Sequence, residues 1–346
     1  MRRRRSLGAR KNWGHTELKR LGKILLACVA LLAVLLVVAI TFTIGWRPFL
    51  GPRKRALTDR HFERTPERVA RGAYLVKGIL DCESCHSPRD WTQHGAPIPT
   101  GMELAGQTAD LPGFPGNLVI PNLTPDPETG SGRWTDDQIA RAIREGIKHD
   151  DSTLFPMMPY ETFKNLSDED LAAVVVYLRS VAPVRNPLPH MHINFPVNYL
   201  VRSAPQPITE PVPGPDASNP LARGKYFATL GCGCHRAIES LPYGGGEHLK
   251  GPWGDVTSAN ITFDPSGISY YSEATFITAL RTGYVGARKL NSIMPFNTFK
   301  NLTDDDLKAI FAYLRTITPV KHRVDNTLPP TYCKVCKEKH GGGDQN

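Results

Sequence analysis

Three blocks of sequence recur in the same order along this chain, and the repeat limits its fold more than any other feature. Arg71-Gly72-Ala73-Tyr74-Leu75 returns as Arg223-Gly224-Lys225-Tyr226-Phe227. Asn122-Leu123-Thr124-Pro125-Asp126-Pro127 returns as Asn260-Ile261-Thr262-Phe263-Asp264-Pro265. Met158-Pro159-Tyr160-Glu161-Thr162-Phe163-Lys164-Asn165-Leu166 returns as Met294-Pro295-Phe296-Asn297-Thr298-Phe299-Lys300-Asn301-Leu302. Matched blocks in register are the signature of one structural unit used twice. Between the copies, the proline-rich stretch from about Val184 to Pro220 reads as an extended, fairly stiff linker.

Each copy carries helix signals. Thr65-Pro66-Glu67 places a capping residue before a first-turn proline. Thr135-Asp136-Asp137-Gln138 is a capping-box pattern opening a helix from Ile139 to Gly146. Ser167-Asp168-Glu169-Asp170 and Thr303-Asp304-Asp305-Asp306 put acids at the positive end of the helices that follow, Leu171 to Val181 and Leu307 to Ile317. Those two helices are apolar on about half their positions and suit packing on the first helix of their own copy. No run of alternating residues argues for a sheet, so the expected fold class is all-α.

Cys82-Glu83-Ser84-Cys85-His86 is an unbroken C-x-x-C-H. That spacing is the attachment signature of c-type heme. Two thiols add across the heme vinyl groups, and the adjacent histidine faces the iron. An electron carrier usually fixes a second axial ligand, and Met158 is the candidate. It lies 72 residues after His86, in Phe155-Pro156-Met157-Met158-Pro159-Tyr160. A thioether favours ferrous iron, and the flanking prolines restrict the backbone that presents it. Met157 is the weaker alternative. An ordinary core role for Met158 is disfavoured because it recurs as Met294.

These motifs resemble class I cytochrome c domains. C-x-x-C-H, N-[LI]-T-x-D-P and M-P-[YF]-x-x-F-x-x-L-[ST]-D-x-D-L are particularly similar to the multiheme cytochrome c subunits of membrane-bound alcohol, aldehyde and gluconate dehydrogenases. The resemblance covers about residues 63–185 and 219–320. It implies His/Met-ligated heme c in a small all-α fold, passing single electrons from a periplasmic dehydrogenase toward a respiratory-chain acceptor. Trp134 falls where the family would put it near the heme, and a plain core role is equally open.

The second copy departs from the pattern. It reads Gly231-Cys232-Gly233-Cys234-His235, with glycine where the first cysteine is expected. His235 and Met294, 59 residues apart, keep both ligand positions. Three readings stand: a heme on a single thioether at Cys234, a heme that also takes Cys232, or a domain that has lost its heme. The tail carries Cys333-Lys334-Val335-Cys336-Lys337 with His340 nearby. A surface disulfide is the leading expectation there. A metal site on Cys333, Cys336 and His340 with a fourth ligand unnamed comes next, then a third heme through C-x-x-C-K. Of the other histidines, only His190 and His192 have a spacing worth noting, and a solvated pair is the plainer account.

The net charge of +9 invites a nucleic-acid partner, and its distribution removes that class. Residues 1–23 hold nine Lys/Arg and one acid, Glu17, so the remainder is close to neutral. This block precedes an uncharged apolar run from Ile24 to Trp46. At ~1.5 Å per residue that run spans ~35 Å, enough for a ~30 Å hydrocarbon core. Basic residues ahead of a span keep the N-terminus in the cytoplasm. A cleavable signal would have a shorter apolar region and a small-residue cleavage site. Trp46 fits an interfacial anchor.

The expected organisation is a cytoplasmic basic segment (1–23), a transmembrane anchor (24–46) and a short basic tether. Cytochrome c domain 1 (63–185), linker (186–218), cytochrome c domain 2 (219–320) and tail (321–346) follow. The expected site residues are Cys82, Cys85, Cys234 and Cys232 for heme attachment, and His86, Met158, His235 and Met294 for iron. The chain reads as a single-pass diheme carrier in a bacterial inner membrane, its bulk in the periplasm, doing no bond chemistry on a substrate. A diheme peroxidase and a monoheme carrier with a heme-free, partner-binding second domain are the alternatives. No phosphate-binding glycine loop, nucleophile elbow or H-E-x-x-H occurs.

Overall fold

The computed structural model describes residues 11–329, 331–337 and 339–340. Arg2 to Arg5 and Arg10 of the basic segment lie outside the described residues. Helix α1 (Lys11–Phe42) contains the apolar stretch Glu17–Phe42, none of which is buried against the rest of the chain. It ends before Trp46, whose indole Nε1 donates to Thr41 Oγ1 at 3.1 Å. A short helix α2 (Arg47–Leu50) follows.

The first half contains α3 (Pro66–Val76), α4 (Cys82–His86), β1 (Gln107–Ala109), β2 (Gly116–Ile120), α5 (Asp136–Glu145), α6 (Tyr160–Phe163) and α7 (Asp168–Ser180). The linker contributes β3 (His192–Ile193) and α8 (Val197–Leu200). The second half contains α9 (Pro220–Gly231), β4 (His248–Gly251), β5 (Gly254–Thr257), α10 (Glu273–Thr282), β6 (Tyr284–Val285), β7 (Arg288–Lys289), α11 (Phe296–Phe299) and α12 (Asp304–Leu314). Strands β8 (Thr331–Tyr332) and β9 (Lys339–His340) form a hairpin in the tail.

The helix ends follow local chemistry. Thr65 caps α3 by accepting from Arg68 N, and Pro66 occupies the first position, where a missing N–H costs nothing. The capping box at Thr135 and Gln138 is formed on both sides. Ser167 and Thr303 cap α7 and α12, leaving three acids in each first turn beside the positive helix end.

Helix α3 packs on α7, and α9 packs on α12. A glycine sits at each crossing because nothing larger fits. A Cβ on Gly72 would lie 2.0 Å from the Ala173 carbonyl oxygen, and one on Gly224 would lie 2.0 Å from that of Ala309. This explains the Arg-Gly-x-Tyr block: the glycine lets two backbones touch, and its neighbours reach outward. Leu75, Val174, Val175, Leu178, Phe227, Leu307, Ile310 and Leu314 belong to one continuous buried core that joins both halves.

The all-α expectation is wrong. Nine short strands form one three-stranded and three two-stranded antiparallel sheets among the described residues. None exceeds five residues. An alternating pattern needs about four to eight residues to stand out, so strands of this length leave little trace. They satisfy backbone groups of the loops between helices rather than build a sheet core.

The segments before and after the first half lie along it. Arg55 pairs with Asp137 at 2.6 Å and Glu145 at 2.8 Å. Thr58 N and Phe62 N donate to Asp137 and Asp136. In the linker, β3 extends the β1–β2 sheet. Asp168 N donates to Val212 O at 2.9 Å, and Val212 N returns to the Asp168 carboxylate at 3.1 Å.

Candidate heme-binding sites

Cys82 and Cys85 stand three apart on the single turn of α4, which puts both thiols on one face. Asp81, in the left-handed region at φ 52, starts that turn. His86 closes it and is 6% exposed. Its Nδ1 lies 2.8 Å from the Pro121 carbonyl oxygen. A carbonyl can only accept, so Nδ1 carries the proton and Nε2 keeps its lone pair. Burial pushes the imidazole pKa down to about 4, with the Pro121 bond pulling it partly back, so the ring is neutral at pH 7. This is the state and tautomer a metal ligand requires.

The repeated Asn-x-Thr block holds that carbonyl in place. Asn122 Oδ1 accepts from Thr124 N at 2.9 Å and from Thr124 Oγ1 at 2.7 Å. Asn122 Nδ2 donates to Val184 O at 2.7 Å, tying the block to the chain beyond α7. The preceding residue, Pro121, is thereby fixed beneath the histidine.

The second half repeats this arrangement atom for atom. His235 Nδ1 lies 2.7 Å from the Ala259 carbonyl oxygen. Asn260 Oδ1 accepts from Thr262 N and Oγ1, and its Nδ2 donates to Val320 O at 2.7 Å. The His235 pKa is also lowered, chiefly by burial. Thus His235 is held as His86 is, although its attachment motif is irregular.

Met158 and Met294 occupy matching turns. Each main-chain carbonyl accepts at 2.8 Å from the N–H two residues on, Tyr160 and Phe296 respectively. Both side chains are partly buried against the core, whereas Met157 is 45% exposed. The candidate donors in the first half are a neutral imidazole of fixed tautomer, two thiols on one helical turn and a thioether. This set fits heme c.

Gly231 accounts for the irregular second motif. A Cβ there would lie 2.4 Å from Ile79 Cδ1 and 3.1 Å from the Ile79 carbonyl oxygen. The place where a first cysteine belongs is therefore filled by the other half of the chain. Helix α9 runs through Gly231, and Cys232 follows as its C-cap, packed against the core. Cys234 is exposed.

The two candidate sites adjoin. Ser84, inside the first motif, has its Oγ 3.2 Å from Thr298 Oγ1, four residues after Met294. Asn297 Nδ2 donates to Gly95 O at 2.7 Å, and Gly95 N donates to Ser292 Oγ at 3.0 Å. His94, which no spacing pointed to, packs with tilted rings against Phe296 at 4.6 Å and Tyr284 at 5.0 Å. Trp134 stacks on His149 at 4.3 Å. His190 and His192 bond Asn117 through main-chain atoms. In the tail, Cys333 and Cys336 are not joined to each other, and His340 approaches them.

Residues 69–182 match the cytochrome c family. The alcohol dehydrogenase (quinone) cytochrome c subunit of Gluconacetobacter polyoxogenes is 29% identical over 80% of this chain and 66% of its own length. The gluconate 2-dehydrogenase cytochrome c subunit of Pantoea cypripedii is 32% identical over 72% of this chain and 59% of its own. A diheme cytochrome c-type protein of Cereibacter sphaeroides is 27% identical over 69% of this chain and 83% of its own. The chain thus spans less than two thirds of the first of these relatives.

Proposed function

With residues 69–182 belonging to the cytochrome c family, we propose that the chain is a membrane-anchored diheme electron carrier serving a periplasmic dehydrogenase. One observation carries the diheme reading: His86 and His235 are oriented by the same bond to the same loop position. Covalently held heme supplies a one-electron iron couple when bound. The remaining work belongs to the chain. Cys82 and Cys85 anchor the first group, and Cys234 alone anchors the second. His86 and His235 present Nε2, and Met158 and Met294 present a thioether. Asn122 and Asn260 keep the histidines from turning.

The contact of Ser84 with Thr298 supports an electron path between the two sites. The apolar α1 supports a single-pass anchor, with basic residues on the cytoplasmic side and the rest in the periplasm. The relatives' names support a dehydrogenase as donor; a respiratory-chain component as acceptor completes the reading.

The test is a heme count and a ligand change on the full chain in detergent. A pyridine hemochrome assay is expected to give two hemes per chain. Met158→Ala is expected to abolish the weak long-wavelength band of methionine-bound ferric iron in one of them and to lower that midpoint potential. One heme per chain would replace the diheme reading with a heme-free second half. An unchanged spectrum and potential in the Met158 variant would end the electron-relay assignment. Rapid peroxide turnover would favour a diheme peroxidase instead.

A further inference from the structure

His322, Cys333, Cys336 and His340 come together at the end of the chain, outside both heme-binding sites. One ligand atom from each lies within 4.8 Å of all the others. His322 is fully buried and His340 is 5% exposed. Cys336 Sγ is 2.8 Å from His340 Nε2, and the two imidazole rings are 4.8 Å apart. Cys333 Sγ accepts from Val335 N at 3.4 Å, and Lys337 N returns to Cys333 O at 2.9 Å, closing a tight C-x-x-C turn. The β8–β9 hairpin brings His340 back over that turn.

We propose that these four residues form a closed Zn2+ site. Two thiolates and two imidazoles are a tetrahedral set that zinc takes in structural sites. With metal–ligand bonds of about 2.0–2.3 Å, the edges of such a tetrahedron are about 3.3–3.8 Å, so on binding Cys336 Sγ and His340 Nε2 would part from 2.8 Å and the wider pairs, up to 4.8 Å, would close. Two thiolates also balance the ion's charge, so the neutral group can be buried. On binding, the two thiols release their protons to solvent.

A second, independent observation comes from the repeat. His322 occupies the position of Asn186 in the first half. Asn186 N donates to Thr129 Oγ1 at 3.0 Å, and its Nδ2 donates to Ala105 O at 2.9 Å. His322 N donates to Ser266 Oγ at 2.9 Å, and its Nδ1 to Gly244 O at 2.7 Å. His322 thus makes two of the asparagine's bonds, leaves out the weaker one from Asn186 Nδ2 to Gly106 O at 3.3 Å, and adds one further nitrogen. That nitrogen, Nε2, is buried with no hydrogen-bond partner among the described residues. Its Nδ1 bond to a backbone carbonyl is the outer-shell contact that orients a metal-bound histidine. The loop it grips is the one whose Gly245 N donates to His235 O at 3.1 Å. The metal would therefore clasp the tail to the loop behind the second heme-binding site.

The test is elemental analysis of the full chain, purified from membranes in detergent, against protein and heme content. One zinc per chain is expected. Cys333 and Cys336 are expected to resist alkylation until a chelator removes the metal. His322→Asn separates ligation from packing, since asparagine makes the same carbonyl bond in the first half. It is expected to reduce zinc to background while the hemochrome value stays unchanged. Cys336→Ser is expected to do the same. The proposal is overturned by a zinc-free chain whose Cys333–Cys336 peptide is lighter by two hydrogens, which is a disulfide. Heme on that peptide, or a reduced chain that fails to take up added Zn2+, also overturns it. So does full zinc occupancy in His322→Asn.

Discussion

Tyr74 and Tyr226, matching residues of the repeated Arg-Gly-x-Tyr block, cross between the halves. The Tyr74 hydroxyl donates to Asp306, and Tyr226 donates to Asp170 at 2.7 Å. Each hydroxyl in turn accepts a helix-capping N–H, from Thr303 and Ser167. Each aspartate also pairs with the arginine of its own half, Arg71 or Arg223. Burial, then the bond to Asp306, raises the Tyr74 pKa to about 12, and the Tyr226 pKa rises for like reasons. The folded state therefore holds these protons after an unfolded tyrosine, near ~10, has lost its own. Stability from this source is complete below about pH 10 and falls as pH climbs through 12. Denaturant midpoints measured from pH 8 upward should show that fall, and Tyr74→Phe with Tyr226→Phe should flatten part of it. An identical slope in the double variant would remove the assignment. At this scale the candidate heme-site residues could be picked out, because the C-x-x-C-H spacing and a recurring methionine carry chemistry directly. His94 and His322 were not, since what singles them out is what other segments fold against them.

Among the elements, the helix pairs set the stability of each half. Gly72→Ala or Gly224→Ala would push a methyl group into a carbonyl, so the paired helices must separate. Overpacking of this kind costs about 1–3 kcal/mol or more, and a clear drop in melting temperature is expected for either. Gly22→Ala, on α1 where a Cβ meets nothing within 4 Å, serves as a control for chemistry without crowding. Equal losses at all three positions would show that crowding is not the cause. The helices and their caps could be read from the chain because Thr65, Thr135, Ser167 and Thr303 act on backbone a few residues away. The sheets could not. A three-residue strand such as β1 is defined by its partner, and Gln107 to Ala109 contains no pattern of its own.

For the whole molecule, α1 is an apolar rod with none of its span packed on the remainder. Replacing residues 1–46 with a cleavable export signal should release a chain that fractionates with the soluble proteins and keeps its hemochrome spectrum. Loss of heme would mean that heme attachment depends on the helix itself; continued sedimentation with membranes would mean that another surface holds the chain there. Arg55, Thr58 and Phe62, laid along α5, leave little slack between that rod and the first half. The repeat argues for a two-part body. Its closeness was hidden, because Ile79 against Gly231 and Ser84 against Thr298 join positions separated by well over a hundred residues.

The reciprocal tyrosine bonds have a further consequence. One half alone owns both a hydroxyl that reaches out and a carboxylate that receives, as Tyr74 and Asp170 show. The tyrosine–aspartate bonds are related by a local twofold, but the rest of the face is not self-complementary, because Cys82 stands where Gly231 leaves room for Ile79. A separately produced first half is therefore expected to stay monomeric. A fragment that pairs with itself by sedimentation would mean that the tyrosine bonds outweigh the crowding at Ile79.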